Sequence, residues 1–457
     1  MNDLCVFAVK RGDIQSRIDV KNVLFNLAIV GTGVKTVSLG ELCLEEPCYG
    51  TSATAIERID DSQPKYIRIT DFGDYGIEEN HKYMAAEFYS NKHLLQLNDI
   101  LFARTGGTVG KTYFYDGKIG KAVFAGYCIR FRFDENKVVP KFVYWYTKTD
   151  MYQKWVNGIQ RPAGQPNINK EEYKSFEIIL PSIDIQRKLV NFMDDANVSR
   201  QNKINHSEKL FADMSKYVHS ILGIGEVSTQ KPVVFAIKSH MTFGARVDPE
   251  YHNPYYTHRV EEIEKLTYDT LGNIIEFSTE VWDQKSIFDE LFPYIEISGV
   301  EIRENSYRTT DVAVSAAPSR AKMIVRDGDI IVSTTRPHRG AIATVSCNET
   351  VVQIASTGFC VLRKLKRNDV LREYLQWILL DDYVLLQMLQ RSSGGNYPAI
   401  TSDELKKIVI PIPKTGVQRE ICAEATKRKK EADKLRIEAA QEWQEARIQF
   451  EKEILGE

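Results

Sequence analysis

The chain has 457 residues, of which 43% are hydrophobic and 27% charged, and its formal net charge is −2. This is the composition of a globular protein, so extensive disorder is excluded, and the length predicts two to three domains. The near-neutral charge gives no sign of a polyanionic partner, so nucleic-acid binding would need local basic clusters. Seven cysteines without a CxxC pair indicate a reducing compartment, and with no secretory signal or membrane span we expect a cytoplasmic protein.

The first half of the chain predicts short strands, then a helix, a loop and one further strand. The short strands are predicted at 66–70, 99–102 and 123–133, where Ile, Val, Phe and Tyr are bounded by Gly, Asp and Asn. A helix follows at 141–157, and a strand at 176–180 ends in proline. The second half predicts the same order. Its elements are strands at 294–298, 329–333 and 358–362, a helix at 369–390 and a strand at 408–412.

A long helix is predicted after the last strand of each half. Residues 185–222 contain no Gly or Pro, and their apolar residues recur at spacings of three and four, which is typical of a helix with one narrow apolar seam. Residues 417–455 show the same kind of pattern with many Lys, Arg and Glu residues. At 1.5 Å per residue each helix would extend roughly 57 Å. Such helices need partners for their seams.

The two halves are related by an internal repeat. The matched pairs that lie 232 positions apart include Pro166 and Pro398, Leu180-Pro181 and Ile412-Pro413, and Gln186-Arg187 and Gln418-Arg419. Upstream the spacing falls to between 228 and 230, as in Tyr66 and Tyr294, Asp99 and Asp329, and Arg17 and Arg246. Solenoid units are roughly 20–50 residues long, so this period indicates a duplicated domain instead.

The repeat predicts an α+β protein with two duplicated α/β domains, each followed by a long helix. We place the first domain at 1–184, the first helix at 185–222, the second domain at 223–416 and the second helix at 417–457. Because the duplication supplies two seams of matching length, we expect the helices to pair as an antiparallel coiled coil. The alternative is two independent helical tails that bind other molecules.

One loop in each half combines glycine with basic and hydroxyl side chains. The strand at 99–102 leads into a loop that carries Arg104, Thr105, Thr108 and Lys111. The corresponding loop of the second half carries a different set, namely Thr335, Arg336, His338 and Arg339. A glycine-rich backbone can approach DNA closely, and arginine can form bidentate contacts with base edges. The alternative is a structural turn, while the spacing does not fit a P-loop.

A second pair of loops is rich in amide groups. In the first half it contains Arg161, Gln165, Asn167 and Asn169, and in the second half Asn396 and Tyr397. Amide side chains suit contacts with bases or phosphates. They could equally cap the element that follows.

No residues are nominated for catalysis, cofactor binding or metal binding. The segment from Leu27 to Gly33 lacks the βαβ pattern of a dinucleotide site, and the eight histidines lack metal-ligand spacing. Asn253-Pro-Tyr-Tyr256 is similar to the Asn/Asp-Pro-Pro-Tyr/Phe motif of amino-methyltransferases, but the second proline and a glycine-rich cofactor motif are missing. No triad or paired carboxylates can be assigned.

Taken in order, these motifs closely resemble the specificity (S) subunit of type I restriction–modification systems. The shared features are the Asp-Ile-Leu type strand before a Thr/Gly/Arg loop, the Pro-Asn-Ile type loop, the Ile/Leu-Pro ending and the Gln-Arg start of a long helix. They occur twice in register and cover nearly the whole chain. The near-neutral charge departs from what DNA binding favours, because phosphate neutralisation dominates affinity.

The resemblance implies a non-catalytic subunit that reads a split target in double-stranded DNA. Each recognition domain would read one half-site, and the helices would set the spacing and dock two methyltransferase (M) subunits that hold S-adenosylmethionine. A restriction/translocase subunit can join such complexes. No cofactor and no membrane contact are expected for this chain. The alternatives are a divergent or fused adenine DNA methyltransferase and a coiled-coil scaffold that does not bind DNA.

Overall fold

The structure, a computed structural model, describes residues 36–77, 81–159, 166–237, 246–347 and 352–456. The chain divides into two compact units. Unit 1 comprises Met1–Asn202 with Glu438–Glu457, and unit 2 comprises Lys203–Ile437. The predicted repeat partner Arg17 lies outside the described residues. Among those residues, no helix combines the length and apolar composition needed to cross a membrane.

The units are built from short strands and helices. In chain order the strands are β1 (Thr36–Ser38), β2 (Cys48–Tyr49), β3 (Ala55–Ile56), β4 (Lys65–Ile67), β5 (Ala85–Ala86), β6 (Ile100–Ala103), β7 (Thr112–Phe114), β8 (Ala122–Phe124), β9 (Cys128–Phe131), β10 (Glu177–Ile179), β11 (Tyr268–Thr270), β12 (Ile275–Ser278), β13 (Leu291–Ile295), β14 (Val300–Glu301), β15 (Ser306–Tyr307), β16 (Thr310–Ala313), β17 (Ala321–Val325), β18 (Ile330–Ser333), β19 (Ile342–Thr344), β20 (Gln353–Ser356), β21 (Phe359–Leu365) and β22 (Val409–Pro411). The helices are α1 (Leu39–Leu42), α2 (Pro140–Tyr146), α3 (Asp150–Ile159), α4 (Lys170–Lys174), α5 (Ile183–Ala212), α6 (Met214–Leu222), α7 (Pro254–Glu264), α8 (Leu271–Ile274), α9 (Arg372–Ile378), α10 (Asp382–Gln390), α11 (Ser402–Leu405) and α12 (Thr415–Leu455).

The duplication predicted from the sequence is visible in the strand order of each unit. In unit 1 a four-stranded sheet has the order β2-β9-β6-β7, strands β4 and β8 pair in parallel, and β1 pairs with β10. Unit 2 repeats this with the sheet β12-β21-β18-β19, the parallel pair β13 and β20, and the pair β11 and β22. The predicted α+β class and internal repeat are therefore confirmed.

Each sheet is anchored by a buried ion pair at the start of its central strand. The carboxylate of Asp99, fully buried before β6, accepts hydrogen bonds from Arg132 at 2.8 and 2.9 Å. The carboxylate of Asp329, before β18, accepts hydrogen bonds from Arg363 in the same way, and Arg363 also forms an ion pair with Glu280. A buried carboxylate requires such partners, because desolvation penalises an unpaired charge. The Asp residues noted in the repeat are thus structural.

The repeated Gln-Arg motif also has a structural role. The side-chain oxygen of Gln186 accepts the backbone N–H of Val139 at 2.8 Å, and its amide nitrogen donates to the carbonyl of Pro181. Gln418 makes the same two bonds with Leu371 and Pro413. Both glutamines are fully buried, so each ties the start of a long helix to the residue before α2 or α9.

The helices differ from the sequence prediction in three places. The helix predicted at 185–222 is interrupted at Asp213 and forms two helices, α5 and α6. The single helices predicted at 141–157 and 369–390 are also split. Thr147 and Thr149 bond back to the carbonyls of Tyr144 and Tyr146 between α2 and α3, and Asp381 caps α10. Side-chain hydrogen bonds thus interrupt the two shorter predicted helices where apolar periodicity continues, whereas Asp213 makes no side-chain cap hydrogen bond. The helix predicted at 417–455 is α12.

Parts of α5 and α12 contact each other within each unit. In unit 1, Ser199 donates a hydrogen bond to Glu442. In unit 2, Arg436 bonds the hydroxyl of Ser207, and Arg428 bonds the carbonyl of Leu210. Ser207 is paired with Arg436, and the later residue Leu210 with the earlier residue Arg428, so the packing of the two helices within unit 2 is antiparallel. These contacts do not fit two independent tails, whereas a coiled coil over the whole length and the proposed domain boundaries stay predictions.

The buried ion pair of unit 2 predicts a large stability effect. Replacing Asp329 with Asn removes the buried counter-charge of Arg363, which then keeps only the more exposed Glu280, so urea unfolding should show a loss of about 2 kcal/mol. The control is Asp369→Asn, which removes the carboxylate of an exposed pair with Arg367 and should have little effect. Equal effects of the two substitutions would contradict the structural role of Asp329.

A second ion pair in unit 2 predicts a pH-dependent stability. Nε2 of His219 on α6 lies 3.0 Å from a carboxylate oxygen of Asp381. Burial opposes protonation of His219, but the hydrogen bond and charge of Asp381 outweigh burial and raise the pKa of the imidazole. This stabilisation is complete below the unfolded pKa, about 6.5, and is lost as pH rises through the folded pKa.

We therefore expect wild type and His219→Gln to differ most in thermal midpoint near pH 6. The difference should shrink when thermal unfolding is followed at pH 8.5. A difference that is independent of pH would show that His219 contributes through packing, for example against the ring of Tyr383 at 4.2 Å.

Candidate nucleic-acid interface

The two predicted loops of unit 1 meet at the end of β6. The carbonyl of Arg104 accepts the N–H of Ile168 at 2.9 Å, and the N–H of Gly106 donates to Pro166 at 3.2 Å. The hydroxyl of Thr105 also bonds the carbonyl of Pro166. A short 3-10 turn, Gly106–Thr108, then returns the chain into β7. Segments about 60 residues apart in sequence therefore form one surface; we call 104–111 and 166–169 the unit 1 loop cluster.

The same backbone arrangement is present in unit 2. The carbonyl of Thr334 accepts the N–H of Ile400 at 2.9 Å, and the N–H of Arg336 donates to Pro398 at 2.7 Å. A 3-10 turn, Pro337–Arg339, leads to Gly340. We call 334–340 and 396–400 the unit 2 loop cluster. The duplication has therefore preserved the backbone of the two clusters while their side chains differ.

Most of the residues predicted to bind DNA lie in these two clusters. Unit 1 brings together Arg104, Thr105, Thr108, Lys111, Asn167 and Asn169, and unit 2 brings together Thr335, Arg336, His338, Arg339, Asn396 and Tyr397. Arg161 and Gln165 lie outside the described residues. DNA contact by any of them stays a prediction.

The side chains of Asn169 and Lys111 also have structural partners. The side chain of Asn169 accepts the N–H of Glu172 at 2.9 Å and caps α4, which is the capping alternative considered for this loop. The ammonium of Lys111 lies 2.7 Å from a carboxylate oxygen of exposed Asp74. Asn167, by contrast, is exposed. Because the ammonium of Lys111 is paired with Asp74, the local positive charge of the unit 1 cluster is carried mainly by Arg104.

Several polar atoms of the clusters are buried without a hydrogen-bond partner. In unit 1 these are Nε of Arg104 and the hydroxyl of Thr108, and in unit 2 Nδ1 of His338. Burial, with the nearby charges of Arg339, Arg336 and Arg303, lowers the pKa of His338 and so favours its neutral imidazole. Buried polar groups usually find partners, so water or a ligand is expected at these loops.

The structure adds two aromatic residues that sequence reasoning missed. Tyr49 on β2 lies under Arg104, whose guanidinium carbon is 4.8 Å from the ring centroid. The carbonyl of Tyr127, an exposed residue, accepts the N–H of Arg104. Neither residue belongs to a loop motif, and only the strand pairing of β2, β9 and β6 brings them beside Arg104. No signal in the linear sequence could have located them.

Comparison with known proteins identifies the family. The model of the type I restriction modification DNA specificity domain matches residues 32–210 and again residues 264–425. The chain therefore belongs to this family and contains its domain twice. The resemblance drawn from the sequence is confirmed.

The chain is also similar to individual curated proteins. It is 28% identical over 124 residues to the type I restriction enzyme HindI specificity subunit of Haemophilus influenzae, which is 26% of this chain and 27% of that protein. It is 26% identical over 166 residues to the StySPI specificity subunit of Salmonella potsdam, or 35% of each. The matched regions span about a third or less of these relatives.

Among solved structures, the S subunit of a type I restriction–modification system from M. genitalium is similar at 14% identity. The match covers 92% of this chain and 95% of that one, with a TM-score of 0.41.

Proposed function

We propose that this protein is the DNA specificity subunit of a type I restriction–modification complex. Each unit reads one half of a bipartite target in double-stranded DNA through its loop cluster. The observation that carries the proposal is the repeated cluster, in which one backbone arrangement presents two different side-chain sets. Direct readout depends on side chains that reach base edges, so two sets can serve two different half-sites.

The partners follow from the same proposal. The curated relatives are named as specificity subunits of restriction enzymes, and a subunit that supplies specificity needs another subunit for the chemistry. We assign the docking of two methyltransferase subunits to the helices α5 and α12, and S-adenosylmethionine to those subunits. A restriction subunit joins the complex in systems that have one. We assign no catalytic step to this chain.

A selection experiment tests the proposal. The full chain, assembled with its methyltransferase subunits, should enrich from random duplexes two short fixed blocks separated by unread base pairs. Affinity should fall steeply with salt, because phosphate contacts release counterions. The purified chain alone, given S-adenosylmethionine and the selected duplex, should transfer no methyl group.

Three outcomes would contradict the proposal. One contiguous block would mean that the two units do not read separate half-sites. A failure to enrich any sequence would favour a scaffold that does not bind DNA. Methyl transfer by the rigorously purified chain would favour a methyltransferase.

A further inference from the structure

Arg336 occupies a backbone position that favours glycine. Its φ is 49°, in the left-handed region where a Cβ crowds the neighbouring carbonyl. The equivalent residue of unit 1 is Gly106, with φ 74°, and the N–H groups of both donate to the proline of the partner loop. Glycine therefore suffices to build this loop. The arginine is present despite a local conformational cost, which points to a function of its side chain.

The contacts of Arg336 do not give it a folding role comparable to that of other arginines. Its Nη2 donates to the carbonyl of Asn396 at 2.9 Å, and its guanidinium carbon lies 4.2 Å from the ring centroid of Tyr397. Within the described ranges, no carboxylate pairs with it. Arg303, which also has a left-handed backbone, differs because its guanidinium is paired with Asp382.

Unit 1 contains the same kind of stack, built from different positions. Arg104 lies over Tyr49, but the structural equivalent of Arg104 is Thr334. The N–H of Arg104 donates to the carbonyl of Tyr127, directly before β9, and the N–H of Thr334 donates to the carbonyl of Gly358, directly before the corresponding strand β21. Thr334 instead directs its hydroxyl to the carbonyl of Gly358. The stacks were therefore not inherited together through the duplication. Their presence in both clusters indicates a shared task.

We propose that the two stacks are the guanine readers of the two units, with Arg104 and Arg336 as the contacting residues and Tyr49 and Tyr397 as positioning residues. This inference rests on the proposed function. Guanine presents N7 and O6 together in the major groove, and a guanidinium can donate to both. The stacked ring holds the guanidinium before DNA arrives, which reduces the entropy lost on binding. Tyr397, 70% exposed, leaves the approach to the stack open.

The experiment compares Arg336→Gly with wild type in the full chain assembled with its methyltransferase subunits. Because Gly106 supports the same loop in unit 1, the thermal midpoint of Arg336→Gly should stay close to that of wild type. Its preference for guanine at one position of one block should fall about 5- to 150-fold, the range for one bidentate contact. The other block should be unchanged. Arg104→Ala should weaken the preference for guanine at one position of that other block.

Three controls define the contact. Replacing the critical guanine with 7-deazaguanine, which lacks the N7 acceptor, should weaken wild type and leave Arg336→Gly unaffected. Tyr397→Phe keeps the stacking face and should retain the preference, whereas Tyr397→Ala should reduce it. Arg308→Ala removes an equal charge from an exposed ion pair of unit 2 and should leave the selected bases unchanged.

The outcomes separate this inference from the proposed function. If Arg336→Gly weakens binding to all sequences equally, Arg336 contacts phosphate and the inference is wrong. If Arg336→Gly selects the same two blocks as wild type, with the same preference for guanine, the inference is also wrong. The selection of two blocks would then still support the proposed function. A large fall in the thermal midpoint would make Arg336 a structural residue. If wild type selects no DNA sequence, both proposals fail.

Discussion

The structure of each candidate interface depends on one backbone hydrogen bond between two loops that are distant in sequence. In unit 1 the N–H of Ile168 donates to the carbonyl of Arg104, and in unit 2 the N–H of Ile400 donates to that of Thr334. Both isoleucines are buried, so each bond is anchored in its core. The bond fixes the position of the loop that follows β6 or β18, and therefore the positions from which the side chains of that loop project. All the candidate contacts are arranged around it.

The two units show which features a duplication keeps and which it changes. The buried pairs Asp99–Arg132 and Asp329–Arg363 are retained, because losing the arginine would leave an unpaired carboxylate inside a sheet. The buried glutamines of the Gln-Arg motif are retained for the same kind of reason. The exposed loop residues differ, since nothing in the core constrains them. A scaffold of this kind can alter a binding preference without altering its fold.

Much of this organisation could be predicted from the sequence. The repeat and the correspondence of the loop motifs between the two halves follow from spacings that stay between 228 and 232 residues, and the short strands follow from runs of Ile, Val, Phe and Tyr. The break at Asp213 and the split of the shorter helices could not be predicted, since apolar periodicity continues across the hydrogen bonds of Thr147 and Thr149. The place of Tyr49 under Arg104 depends on sheet pairing, which a linear pattern does not encode.

The central claim is that each loop cluster determines one half-site independently of the other. The most direct measurement replaces residues 334–340 and 396–400 together with different side chains on the same backbone pattern, retaining the buried Pro337 and Ile400 and also Gly340 and Pro398. The methylated or selected sequences of the assembled complex are then compared with those of wild type. The account predicts that one block changes while the other block and the separation between them stay the same. A change in both blocks, or in the separation, in a protein that remains folded would contradict it.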